Sequence, residues 1–264
     1  SKKKAIEAGI CNARGELIVT TDADCLLPVN WLHTISNYYN NKNASFIAAP
    51  VKYSHDNSFF QVFQALDFMT LQGITAASVS SGFHNMCNGA NLAYRKQSFE
   101  AVNGFDGIDK VASGDDMLLM HKIWKQDPDK VFYLKSKDAI VSTQPMPSWK
   151  AFYSQRKRWA SKTMVYEDYR IVGVLAFIYL FNCLFFVWLI TAFWHPINIV
   201  YAFAFLLLKT LIEWPFVRSV AQFYDEQRLM KYFLLFQPVH VLYTVVVGLT
   251  SQLGSYEWKG RRTK

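Results

Sequence analysis

The chain has 264 residues, 52% of them hydrophobic and 16% aromatic, and a formal net charge of +8. That charge does not point to nucleic acid, because many basic residues flank apolar segments: Arg156, Lys157, Arg158 and Lys162 before the first, and Lys259, Arg261, Arg262 and Lys264 at the end. Such flanks are what positive-inside topology predicts, and no RNA- or DNA-binding motif is present. Cys11, Cys25, Cys87 and Cys183 have neither C-x-x-C nor zinc-ligand spacing, which fits free thiols in a reducing compartment.

In chain order, Lys2 to Ala8 reads as a helix that Gly15 stops, and an N-terminal piece is expected to be missing ahead of it. Glu16 to Asp22 carries the run Leu17, Ile18, Val19, Thr20, the pattern of a strand buried on both faces of a parallel sheet. Pro28 opens a helix through about Tyr39. Ser45 to Val51 is a second strand, Phe59 to Ala77 a helix, and Asn88 to Tyr94 a strand leading into a helix near Gln97. Asp115 to Trp124 is a helix stopped before Pro128. Val131 to Leu134 and Ala139 to Ser142 are short strands, and Ser148 to Ser161 is an aromatic, basic helix. Strands alternating with helices predict an α/β sheet, in which ligands bind beyond the carboxyl ends of the strands. The expected division is an α/β domain over 1–147, an interface helix over 148–170 and a membrane region over 171–264.

Within the membrane region, Ile171 to Trp194 has no charge and is long enough to span about 30 Å of hydrocarbon. A second segment runs from Ile197 to Val217, with Lys209 and Glu213 placed to pair on one helix face. A polar linker, Arg218 to Lys231, precedes a third apolar segment, Tyr232 to Leu253, interrupted by Gln237, Pro238 and His240. If all three cross, the basic tail lies opposite the first domain, against the positive-inside tendency. A break at Pro238 with re-entry, or a segment lying in the interface, would avoid that.

Four clusters carry candidate chemistry. Asp22 and Asp24 lie on one face of an extended backbone, where two carboxylates can hold Mg²⁺ or Mn²⁺; the same residues also suit a turn or helix cap ahead of Pro28. Ser113-Gly114-Asp115-Asp116 offers a general base at a helix start, although acids there also stabilise a helix through its dipole. Gln155, Arg158 and Trp159 share a helix face, with an Arg able to grip phosphate and a Trp able to stack on a sugar or base, or to anchor at a membrane interface. In Cys87 to Arg95, the small residues Gly89 and Ala90 let a ligand approach the backbone and Asn91 can bond sugar hydroxyls; a β-turn is the plainer reading.

Taken in order, these motifs resemble family 2 glycosyltransferases, in the membrane-bound branch that includes cellulose, hyaluronan and poly-N-acetylglucosamine synthases. The resemblance covers residues 1 to about 162, with a looser match to the tail and its Trp258-Lys259-Gly260-Arg261 ending. The acidic strand-end motif is matched by Asp22 and Asp24, the Gly-Ala-Asn motif by Gly89, Ala90 and Asn91, and the Gly-Phe-Asp element by Gly104, Phe105 and Asp106. Q-x-x-R-W is matched by Gln155, Arg158 and Trp159. The family's Gly-Glu-Asp reads Gly114-Asp115-Asp116 here, a conservative departure that aligns Asp116 with the catalytic base. The family's first nucleotide-binding strands have no counterpart.

The resemblance implies a Rossmann-like GT-A domain, incomplete at the N-terminus and followed by transmembrane helices. It also implies an integral membrane protein with a cytoplasmic catalytic domain, a UDP-linked sugar donor, a glycan or lipid-linked acceptor, and a Mg²⁺ or Mn²⁺ cofactor held by Asp24 and Asp22. Few apolar segments fit one or a few transfers rather than a long polymer. Rival expectations are a non-catalytic membrane protein with an α/β binding domain and, less in keeping with the dispersed charge of residues 1–150, a basic nucleic-acid binder.

Overall fold

The computed structural model describes residues 2–83, 86–108, 114–161 and 168–252, together with the backbone of 256–258 and 261–263. Ser113, Lys162, Lys259, Gly260 and Lys264, which belong to motifs or basic flanks named above, lie outside the described residues. The chain divides into two compact units, Ser1–Asp56 with Phe68–Pro145, and Asn57–Asp67 with Met146–Lys264.

The first unit is a mixed α/β layer. In order it contains α1 (Lys2–Asn12), β1 (Leu17–Thr20), α2 (Trp31–Lys42), β2 (Phe46–Ala48), β3 (Val51–Tyr53), the later turns of α3 (Phe59–Ser80), β4 (Leu92–Arg95), α4 (Lys96–Ala101), α5 (Asp115–Gln126), β5 (Val131–Tyr133) and β6 (Val141–Thr143). The main sheet has the order β1-β4-β2-β5; β4 is antiparallel to both neighbours, while β2 and β5 run parallel. The expected all-parallel setting of β1 is therefore wrong. Its residues are half-buried, with Leu17 and Val19 packed against the core beneath α2. A short apolar run has no period that separates a strand covered on both faces from one covered on one.

Pro50 splits the strand expected over Ser45 to Val51. Without an N–H, proline cannot continue a ladder on that side. The chain leaves the main sheet after β2, and β3 pairs in parallel with β6 in a second sheet. The core is built by Trp31, Ile35 and Tyr39, spaced four apart on α2, against Ile47, Ala49, Ala93, Leu134 and Val141.

The second unit is helical. It holds the first turns of α3, then α6 (Trp149–Ala160), α7 (Tyr169–Thr191), α8 (Asn198–Phe223), α9 (Phe233–Gln252) and the antiparallel pair β7 (Tyr256–Trp258) and β8 (Arg261–Thr263). Ser148 caps α6 by accepting from the Ala151 N–H at 3.2 Å.

Among the described residues three helical segments, Tyr169–Thr191, Asn198–Phe223 and Gln227–Gln252, are long and apolar enough to cross a membrane. Phe177, Phe203, Leu211 and Leu235 stand exposed along them, as lipid-facing side chains do. The chain does not break at Pro238: α9 runs through it, and α8 runs through Pro215 to Phe223, beyond the end expected near Val217. Lys209 pairs with Glu213 at 2.7 Å and donates to Gln237 Oε1 at 2.8 Å, and the Gln237 amide returns to Glu213 at 2.8 Å. The polar residue that interrupts the third apolar segment thus closes a hydrogen-bonded triangle between α8 and α9.

Candidate active site

In the first unit, the candidate residues gather at the end of β1, the start of α5 and the turn before β4. Asp22 follows β1. The α1 helix brings the Lys2 ammonium to 2.6 Å from Asp22 Oδ1. Gly114, at φ +98°, turns the chain into α5, where Asp115 and Asp116 occupy the first turn. Only glycine enters that backbone region without strain.

Asp116 Oδ1 accepts from the Met117 N–H at 2.9 Å, and its Oδ2 accepts from the Gly89 N–H at 2.9 Å. The turn that presents Gly89 is closed by the Ala90 N–H donating to Asn88 Oδ1 at 3.0 Å. A Cβ placed on Gly89 would lie 3.4 Å from both Asp116 Oδ2 and Lys2 Nζ. Asp22, Lys2, Gly89 and Asp116 therefore form one continuous polar seam. Two of the sequence motifs meet at a single hydrogen bond, and a lysine links in the third.

Burial alone would lower the pKa of Lys2. The bond to Asp22 and the charges of Asp22, Asp115 and Asp116 overcome it and hold the ammonium above its usual range. Burial, with the charge of Asp115 beside it, also pushes the Tyr94 phenol far up, so Tyr94 stays neutral beneath the acids.

Asp24 is exposed, and Cys25 Sγ lies 4.0 Å from its Oδ1. Among the described residues no three His, Cys, Asp or Glu side chains come together as a metal cage. The donor set still suits a hard divalent ion. Mg²⁺ is commonly held by one or two carboxylates, with phosphate and water completing its shell. The ammonium on Asp22 shows that this carboxylate can receive a cation.

Asn91 has a different setting from the one expected. It is 0% exposed, its amide hydrogens go to the carbonyls of Pro50 (2.8 Å) and Ala139 (2.7 Å), and its Oδ1 accepts from Trp31 Nε1 at 3.0 Å. In this geometry Asn91 ties β4 to Pro50, Ala139 and α2, and so fixes the Gly89-Ala90 turn just before it. Gly104 adopts φ +48° against the ring of Phe99, in the turn that Lys122 braces by donating to the Gly104 and Asp106 carbonyls. The Gly-Phe-Asp element is thus a packed turn.

In the second unit, Gln155, Arg158 and Trp159 are half-buried on α6. Gln155 Oε1 accepts from Arg156 at 2.7 Å, and the Arg156 guanidinium lies 4.3 Å from the centre of the Trp159 ring. Arg156 itself is buried and paired with Asp67.

Sequence reasoning missed three functional candidates: Lys2, Asp67 and Tyr243. Asp67 did leave a signal, as the one ionisable residue of the 22-residue α3 helix. An acid in so apolar a helix needs a buried partner. Lys2 left none, as one of three successive lysines, and Tyr243 left none because a tyrosine in an apolar helix needs no charged partner.

The mixed sheet carries acids at its strand and helix ends, and helices long and apolar enough to cross a membrane follow it in the chain. The chain belongs to glycosyl transferase family group 2, whose profile matches residues 17–249. Its α/β unit is accordingly a GT-A domain, and its activity is sugar transfer from a nucleotide-sugar donor to an acceptor. No curated protein matches the chain.

Proposed function

We propose that the protein carries out inverting transfer from a UDP-linked sugar to a hydroxyl of a glycan or lipid-linked acceptor, at the cytoplasmic face of a membrane, as in the membrane-bound branch of its family. The observation that carries this reading is the Asp116 carboxylate, held by two backbone N–H groups beside the Lys2–Asp22 pair. Asp116 takes the proton of the acceptor hydroxyl. The hydroxyl oxygen then bonds to the anomeric carbon as the bond to the diphosphate oxygen breaks, in one displacement that inverts the centre. Lys2 stands ready for the charge that grows on the leaving diphosphate, its ammonium held above its usual range by Asp22 and, less, by the charges of Asp115 and Asp116.

Mg²⁺ or Mn²⁺ held by Asp22 and Asp24 would add Lewis-acid stabilisation of the same diphosphate. Arg158 grips phosphate through parallel N–H bonds, Trp159 stacks on the acceptor and Gln155 orients them. Gly89 and Ala90 leave room for the sugar next to Asp116. Asn91 serves by fixing that turn.

The test uses the full-length protein in membranes with a panel of sugar nucleotides, with and without Mg²⁺ or Mn²⁺. Nucleoside diphosphate release from one donor is expected, cut by chelation and lowered about 10²- to 10⁴-fold by Asp116→Asn, the range a general base supplies. Normal turnover by that variant would overturn the base assignment. No release from any donor would overturn the transferase reading.

A further inference from the structure

Asp67, Arg156 and Tyr243 form a buried knot that the chemistry above does not use. The side chains of Arg156 and Asp67 are 4% and 3% exposed. Arg156 Nη2 and Nε donate to Asp67 Oδ2 at 2.6 and 3.1 Å, and the Tyr243 hydroxyl donates to Asp67 Oδ1. The knot joins the first turns of α3, the α6 helix and the third apolar helix, α9. Its far side reaches the Q-x-x-R-W residues directly. Arg156 Nη1 donates to Gln155, and the guanidinium lies between the Phe152 and Trp159 rings at 4.6 and 4.3 Å.

A buried ion pair is a poor way to gain stability, because desolvation offsets most of its attraction and apolar residues of similar size would serve as well. What a planar guanidinium gripped by a carboxylate does supply is orientation. On α6, Arg158 is about 200° around the helix from Arg156. Anchoring Arg156 inward therefore faces Arg158 outward, while Gln155 and Trp159 are held by direct contact. A rotation of α6 by one residue, about 100°, would misplace all three.

We infer that Asp67 and Tyr243 are positioning residues for sugar transfer, acting through Arg156 to set the rotation of the Q-x-x-R-W helix. The inference rests on the proposed roles of Gln155, Arg158 and Trp159. It makes the third apolar helix part of the catalytic apparatus, since Tyr243 lies on it.

The test compares the full-length wild type with Tyr243→Phe, Arg156→Lys, Asp67→Asn and Asp67→Glu in membranes, measuring kcat and donor KM for transfer and the amount and thermal stability of folded protein. Tyr243→Phe removes one hydroxyl and leaves the ion pair, so it is the variant that will fold. It should keep its donor KM within about twofold and lose about 10- to 100-fold in kcat, the effect of one hydrogen bond to a charged group. Arg156→Lys should do the same or worse, and Asp67→Glu should recover part of what Asp67→Asn loses. If kcat per folded molecule stays within about twofold in Tyr243→Phe and Arg156→Lys, the knot is a structural brace and the inference is overturned. A wild type that transfers no sugar from any donor overturns the transferase reading, and this inference with it.

Discussion

Gly89 and Gly104 receive the same substitution, to alanine, in opposite environments. At Gly104 the backbone has φ +48° and a Cβ would meet Phe99 Cζ at 2.7 Å. Gly104→Ala should cost about 2–4 kcal/mol from backbone strain and overpacking, seen as a lower melting temperature. At Gly89 the new methyl meets Asp116 and Lys2 at 3.4 Å, which is ordinary contact. Gly89→Ala should melt within about 2 °C of wild type, yet lose about tenfold in transfer by standing between the base and the ammonium, a loss worth about 1.4 kcal/mol. Lys2 makes a pH-dependent contribution whose sign follows from its raised pKa. The stabilisation is complete below the ordinary value of 10.5 and is lost as pH rises through the higher folded value. The gap in stability between wild type and Lys2→Met should therefore be flat from about pH 7 to 9 and close in stronger alkali, as followed by denaturant melts; both ends of the pair are over 40% exposed, so the gap is small.

Elements were legible in the sequence where period and punctuation agreed. The helices at 31–42, 59–80, 115–126 and 149–160 follow from apolar spacing and from stops at loops or prolines, and the apolar helices from their length. Strand partners were not legible, because a four-residue run such as Leu17 to Thr20 is the same string in either sheet direction. The two prolines acted in opposite ways. Pro50 ends a strand because its missing N–H falls in a ladder, whereas Pro238 lies inside a helix whose neighbours supply the rigidity. The acids at Asp22 and Asp116 were legible as motifs. Their link through Gly89 and Lys2 was not, since it joins positions far apart in the chain.

Packing between α7 and α9 is equally non-local. A Cβ on Gly248 would fall 2.5 Å from the ring of Tyr179. Gly248→Ala should lower thermal stability in detergent. Combined with Tyr179→Ala, it should cost clearly less than the sum of the two single changes, a coupling that a double-mutant cycle would measure.

At the scale of the whole molecule, the three apolar helices among the described residues make three successive crossings if each one spans. Residues before Tyr169 and after Gln252 should then lie on opposite sides of the membrane, with the basic tail away from α6. In sealed vesicles of a cysteine-free background, a cysteine at Ser154 and one at Asp225 should label from the same side, and one at Lys264 from the other. Labelling of all three from one side would overturn the third crossing and, since α9 is continuous through Pro238, would mean that it lies along the surface.

The interleaving of the two units governs how such a protein can be taken apart or inherited. The chain passes from one unit to the other at Asp56, returns at Asp67 in the middle of α3, and crosses again after Pro145. No single cleavage frees either unit whole. A fragment ending at Pro145 would carry Phe60, Phe63 and Asp67 stripped of Trp149, Phe152, Arg156 and Tyr243, presenting a greasy stripe with a lone carboxylate to water. Recombination that exchanges the catalytic segment between related genes must therefore bring the matching α6 and α9 along with it, or redesign half a helix.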